Sequence, residues 1–201
     1  MRICFFGDSF THGTGDDHAL GWVGRVLAET RQRGRDVTGY NLGVRRNTSA
    51  DIATRWRSEA QVRLPAEYPC RVVFSFGTND CSANEAGDGP RLENAQSLRH
   101  AEAILLEARS WLPTLMLGPA SVANEPEVNE RIRALSKAYA TLCERLAVPY
   151  LELCQLTLAS PAWQQEALTG DGAHPNRGGY ALIADAVSKW PAWQALVESA
   201  R

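Results

Sequence analysis

The sequence lacks any apolar run approaching the roughly 20 residues that a membrane-spanning helix requires, and its mean hydropathy is −0.29. An excess of positive charge is missing too. Against 23 Asp and Glu stand 21 Lys and Arg, a formal charge of −2, so no whole-chain field exists to hold nucleic acid or another polyanion. Met1-Arg2 leads into Ile3-Cys4-Phe5-Phe6, but Gly7 and Asp8 interrupt the hydrophobicity before a signal-peptide core could form. The five cysteines (Cys4, Cys70, Cys81, Cys143, Cys154) are odd in number and contain no C-x-x-C. Most sit in apolar stretches where thiols pack as small hydrophobes. Internal repeats, low-complexity tracts and Pro- or Ser-rich linkers are absent as well. The expectation is a soluble protein of the reduced cytoplasm, its 201 residues (1–201) forming one domain.

Short β-branched or aromatic runs lie at about Arg2 to Phe6, Val37 to Leu42, Cys70 to Phe76, Thr114 to Leu117 and Val148 to Leu153. These predict five strands. Between them, Val128, Ile132, Leu135, Tyr139, Leu142 and Leu146 recur every three or four residues and predict an amphipathic helix. Weaker helical patterns comprise Trp22, Val23, Val26 and Leu27; Ile52, Ala53, Trp56 and Ala60; Leu92, Ala95, Ile104, Leu105 and Ala108; and Leu182, Ile183, Ala186 and Val187, with Pro191 expected to end or kink the last. Alternating strands and helices build right-handed crossovers, so the fold class is α/β: a three-layer α/β/α arrangement around a parallel sheet. Ser82 to Pro90 reads as a loop after the third strand, either a plain connection or a rim over a pocket.

In such sheets ligands bind beyond the carboxyl ends of the strands. Strand one runs into Gly7-Asp8-Ser9-Phe10, strand two into Gly43-Val44-Arg45-Arg46-Asn47-Thr48-Ser49, and strand three into Gly77-Thr78-Asn79-Asp80; strand five is followed, after a longer loop, by Asp171-Gly172-Ala173-His174-Pro175-Asn176. A serine hydroxyl needs a base to take its proton and a third group to orient that base. Asp171, three residues before His174, is spaced for a turn that brings the carboxylate to one imidazole nitrogen and leaves the other outward. Donors for an oxyanion are available in the Ser9 amide, the Gly43 amide and the Asn79 side chain, with glycine at 43 allowing close approach of substrate. Any one of these pieces has an ordinary explanation as a cap, a turn or a solvated loop. Their joint placement on one edge points to acyl transfer.

With these motifs in this order, the chain resembles the GDSL esterases in their SGNH hydrolase form, over Gly7 to Asn176. The resemblance implies a flavodoxin-like five-stranded sheet, Ser9 as nucleophile, His174 as base, Asp171 as its orienter, and Ser9, Gly43 and Asn79 around the oxyanion. It implies no metal and no organic cofactor, and a small-molecule acyl ester as the partner; that family covers carboxylesters, acyl thioesters, lysophospholipids and acetylated sugars. Two departures stand out. Phe10 replaces the leucine of the name-giving motif, and Arg46 occupies a place where glycine is common. Phe10 and Trp163 are candidates to line an acyl pocket. Arg45 and Arg46 could meet an anionic substrate group or simply be solvated. The charged loops Thr11 to Leu20 and Ser82 to Pro90 favour short acyl chains.

Rival readings use the same edge differently. His12 lies close to Ser9 but has only Asp16 at comparable spacing, while His18 and His100 read as solvated or structural positions. A flavin- or nucleotide-binding module could cradle phosphate on Ser9 to Thr14, although no P-loop lysine is present and Gly13-Thr14-Gly15 lacks the third glycine of a dinucleotide fingerprint. A metal-dependent phosphoesterase would draw on Asp8, Asn79, Asp80 and His174. A catalytically inert interaction domain would leave all of these residues unused.

Overall fold

The computed structural model describes residues 1–199. The apolar runs form β1 (Arg2–Gly7), β2 (Thr38–Gly43), β3 (Cys70–Ser75), β4 (Thr114–Leu117) and β5 (Tyr150–Leu151). All pair in parallel in the order β2-β1-β3-β4-β5. The predicted fifth strand is longer than the observed one. Val148 instead donates to the Cys143 carbonyl in the turn before β5, and Leu153 caps the helix that follows.

Helices α1 (Ser9–His12) and α2 (Gly21–Gln32) follow β1, α3 (Ser49–Arg63) follows β2, and α4 (Thr78–Cys81) and α5 (Asn94–Trp111) follow β3. The predicted long amphipathic helix is α6 (Pro126–Arg145), with Val128, Ile132, Leu135, Tyr139 and Leu142 buried. Two helices absent from the sequence reading, α7 (Cys154–Leu158) and α8 (Pro161–Thr169), fill the connection after β5. Pro191 divides the last predicted helix in two: α9 (Arg177–Lys189) stops, and α10 (Pro191–Glu198) begins on the proline, whose missing N–H costs nothing at a first helical position.

Two adjacent residues of β1 show why the sheet is covered on both faces. Phe5 meets Trp22 of α2 and Trp193 of α10, whereas Phe6 points the other way to Trp56 of α3 and to Phe74, its register partner on β3. The period of two along a strand sends them to opposite layers. α2, α9 and α10 pack together, as do α3, α5 and α6. The cysteines are free and buried; burial pushes Cys4, Cys81 and Cys143 up to about 12, as expected of thiols that act as apolar filler. Gly7, Gly43 and Ser75 stand level in the register, so the first three strands end on one line. That line is where the polar motifs gather.

Candidate active site

β1 ends at Gly7, and Asp8 turns the chain into α1 by accepting the Phe10 amide at 2.9 Å. Ser9 is thereby the first residue of a one-turn helix, with its carbonyl accepting the Gly13 and Thr14 amides. Its Oγ lies 2.7 Å from His174 Nε2, and His174 Nδ1 lies 2.7 Å from Asp171 Oδ2. The other carboxylate oxygen of Asp171 accepts the His174 amide at 2.9 Å and the Ala173 amide at 3.1 Å, so one side chain both shapes the turn and holds the imidazole. Burial works against ionisation of Asp171, but the His174 amide, the imidazole and the Ala173 amide outweigh it and hold the carboxyl at about 2.

Two further contacts seat the histidine. The Phe10 ring lies 4.9 Å from the imidazole, centroid to centroid, and stacks in turn on Trp163 at 5.7 Å. Phe10 is 5% exposed and Trp163 is 0% exposed. Neither can line an acyl pocket; both support His174 from beneath. From the other side the loop carrying Asp171 and His174 is stitched to the segment after α1, where Tyr180 donates to the Thr14 carbonyl at 2.6 Å and Asn176 accepts the Asp17 amide at 3.1 Å. Gly15 lies flat against this loop, and a Cβ there would stand 2.7 Å from the Pro175 carbonyl oxygen. The Gly13-Thr14-Gly15 segment therefore packs under His174 and does not form a phosphate cradle.

The expected oxyanion donors are only partly available. The Gly43 amide donates to Asn41 Oδ1 at 3.1 Å, and a Cβ at Gly43 would meet the His12 nitrogen at 2.2 Å and the Asp8 oxygen at 2.7 Å. Glycine is needed at 43 because the α1 backbone crosses there, not to admit substrate. Asn79 donates one Nδ2 hydrogen to the Asn47 carbonyl at 3.0 Å and keeps the second. Asn47 closes a turn onto Val44 at 3.2 Å, and Arg46, the third residue of that turn, has φ +67. This left-handed conformation is the reason glycine suits the position; a residue with a side chain costs about 1–2 kcal/mol there.

Of the other histidines, His12 and His18 are exposed, and His18 lies 3.9 Å from Asp17. Asp16 is committed to Arg25 and to the His18, Leu20 and Gly21 amides. His100 is half-buried and structural: its Nδ1 meets Ser49 Oγ at 3.1 Å, and the Ser49 amide donates to Asp80 at 2.8 Å. Asp80 is fully buried and thus ties the third motif to the start of α3, a role visible in sequence only as the acid following Asn79. Among the described residues no group of three or more His, Cys, Asp or Glu is placed to hold a metal, so Asp8, Asp80 and His174 do not form one.

The two buried acids carry a consequence for stability. Burial, reinforced by Asp80, pushes Asp8 from its ordinary 3.8 up to about 7, and burial raises Asp80 as well. A raised carboxyl makes the folded state hold a proton that the unfolded chain releases. Its favourable contribution is complete below about pH 4 and is lost as pH climbs toward about 7. Asp171 has the opposite sign, contributing above 3.8 and losing that contribution as pH falls toward about 2. Asp8→Asn retains an oxygen to cap Phe10 but has nothing to ionise. Its melting temperature is expected to exceed that of wild type at pH 8, with the gap shrinking at pH 5. Parallel melting curves across that range would refute the buried-acid account.

Arranged this way, an edge-bound serine, imidazole and carboxylate beside a free amide donor can activate a hydroxyl and stabilise an oxyanion. The fold is that of the SGNH hydrolases. A family model for the GDSL-like Lipase/Acylhydrolase family matches residues 5–182, and the chain belongs to that family of hydrolases. Among solved structures, the lipase/acylhydrolase from Enterococcus faecalis is 26% identical, with a TM-score of 0.76 and coverage of 94% of this chain and 93% of that one. TesA shares 23% identity at a TM-score of 0.75, covering 98% and 99%. A catalytic mutant of an acetylxylan esterase from Geobacillus stearothermophilus shares 18% at 0.72, covering 92% and 91%; at these lower identities the likeness is one of fold. No curated protein matches the sequence significantly.

Proposed function

We propose that this hydrolase is a serine esterase acting on short acyl esters through an acyl-enzyme at Ser9. The observation that carries the reading is the unbroken chain from Ser9 Oγ to His174 Nε2 at 2.7 Å and from His174 Nδ1 to Asp171 Oδ2 at 2.7 Å. With the Nδ1 proton held on the imidazole and donated to the Asp171 carboxylate, Nε2 accepts the Ser9 proton as Oγ attacks the ester carbonyl. The Ser9 amide and the second Nδ2 hydrogen of Asn79 receive the negative oxygen. The imidazolium then gives its proton to the departing alcohol as the C–O bond breaks. Water, deprotonated by His174 in the same manner, releases the acid and restores Ser9. No step calls on a metal or organic cofactor.

One observation favours a longer chain. A groove of about 410 Å³ beside Asp171 is lined by Val122, Ala123, Val128, Leu168 and Ala173, which would suit the acyl tail of a thioester or lysophospholipid. Intact mass after exposure to a fluorophosphonate should show one adduct on wild type and none on Ser9→Ala. A series of nitrophenyl esters from two to twelve carbons then separates the readings: kcat/KM highest at two to four carbons supports the short-chain assignment, and a maximum at eight or more replaces it with the longer-chain one. A folded wild type that takes no adduct would remove the serine mechanism.

A further inference from the structure

The turn from Val44 to Asn47 is built into the reaction edge. Its Val44 amide donates to the Gly7 carbonyl at 3.1 Å, its Asn47 carbonyl accepts from Asn79 at 3.0 Å, and Arg55 Nε donates to Asn47 Oδ1 at 2.7 Å. Arg46 projects from this turn in a backbone conformation that glycine would adopt without strain. Arg91 Nη1 donates to the Arg46 carbonyl at 2.8 Å, which uses one of its five N–H groups and places the second guanidinium against the same turn. Arg91 is itself anchored, because its amide donates to the Ser82 carbonyl at 2.8 Å and the base of the Ser82–Pro90 loop is closed by an Ala83–Pro90 bridge.

Arg46 and Arg91 line one open groove of about 310 Å³ together with Ala83, Asn84 and Glu85. Among the described residues neither is salt-bridged to a carboxylate. Asp51, which feels Arg91 electrostatically, is committed to the Thr48 amide and hydroxyl, and Glu85 leaves the groove one positive charge in excess. Arg45 is placed differently. It borders the cleft that His174 and Asp171 share, 4.0 Å from Asp171, and so already faces an acid.

We infer that Arg46 and Arg91 receive an anionic group, a carboxylate or a phosphate, carried by the ester substrate on the Asn79 side of Ser9. Two forked guanidiniums on one groove match the paired oxygens of such a group. The inference rests on the serine-esterase reading and names the substrate class that it leaves open.

The test is the ratio of kcat/KM for an anionic ester over its neutral counterpart. One arm compares nitrophenyl hemisuccinate with nitrophenyl butyrate, placing the charge on the acyl half. The other compares an acetylated glycerol phosphate with glycerol monoacetate, placing it on the leaving alcohol. Wild type should prefer the anionic member in one arm, which identifies the source of the charge, and that preference should shrink as KCl is raised. Arg46→Gly, which suits the left-handed turn and so keeps the fold, should lower that ratio about tenfold or more, the loss of one charge-assisted hydrogen bond. Arg46→Lys, a point charge without the fork, should fall between. Equal ratios in wild type and Arg46→Gly in both arms would overturn the inference while leaving the fluorophosphonate adduct in place. Wild type that takes no adduct would overturn the serine reading and this inference with it.

Discussion

Ser9→Ala is expected to lower kcat by about 10⁴-fold or more on any ester the enzyme turns over, with little change in KM or melting temperature. The magnitude follows from what the hydroxyl does. Without Oγ no acyl-enzyme can form, and only the oxyanion donors and substrate positioning remain to assist water. The fold should tolerate the change because Ser9 is held by its backbone. Its carbonyl closes α1 onto Gly13 and Thr14, and Asp8, not Ser9, caps the helix. The Oγ makes its hydrogen bond to His174. A Ser9→Ala protein with more than a hundredth of wild-type turnover, shown free of carry-over enzyme by active-site labelling, would place the nucleophile elsewhere.

Asp171→Asn should slow acylation by about 10²- to 10⁴-fold while leaving the loop in place. An asparagine oxygen can still accept the His174 and Ala173 amides, so the turn that Asp171 shapes at 2.9 and 3.1 Å survives. The amide nitrogen would then face Nδ1 as a donor and push the imidazole proton to Nε2. There it blocks acceptance from Ser9. The 48% exposure of the Asp171 side chain lets water share in stabilising the imidazolium, so a loss short of the upper limit is expected. Asp171→Ala should differ in kind, losing the two amide acceptors as well and melting at a lower temperature. Comparable kcat for Asp171→Asn and wild type in rapid-mixing experiments would show that the carboxylate does not orient the base.

Much of this site is legible in the sequence because its parts are local. Ser9 follows the first strand directly, Asn79 follows the third by a few residues, and Asp171 and His174 are close enough for a single turn to join them. Strand periodicity alone brings the first two to one edge, since parallel strands that begin in register also end in register. The residues that read wrongly are those whose surroundings come from distant segments. Gly43 suits a substrate's approach as well as a backbone's, and only the crossing of α1 decides for the backbone. Phe10 and Trp163 have the size and polarity of pocket walls, yet they stack beneath His174 because α8 packs behind α1. The bond from Ser49 to Asp80 and the contact of Ser49 with His100 join α3, α4 and α5, and no spacing along the chain announces them.

The sequence by itself determined the layered α/β class, the long amphipathic α6 and the motif set of a GDSL hydrolase, because these depend on periodicities and spacings within one segment. The tertiary structure alone decided how short β5 is, where α7 and α8 fill the path to Asp171, that the Gly43 amide is taken by Asn41, and that Arg46 and Arg91 share a groove. Those outcomes depend on which backbone groups and side chains from distant segments compete for the same space and the same hydrogen bonds, and that competition exists only once the layers have closed on one another.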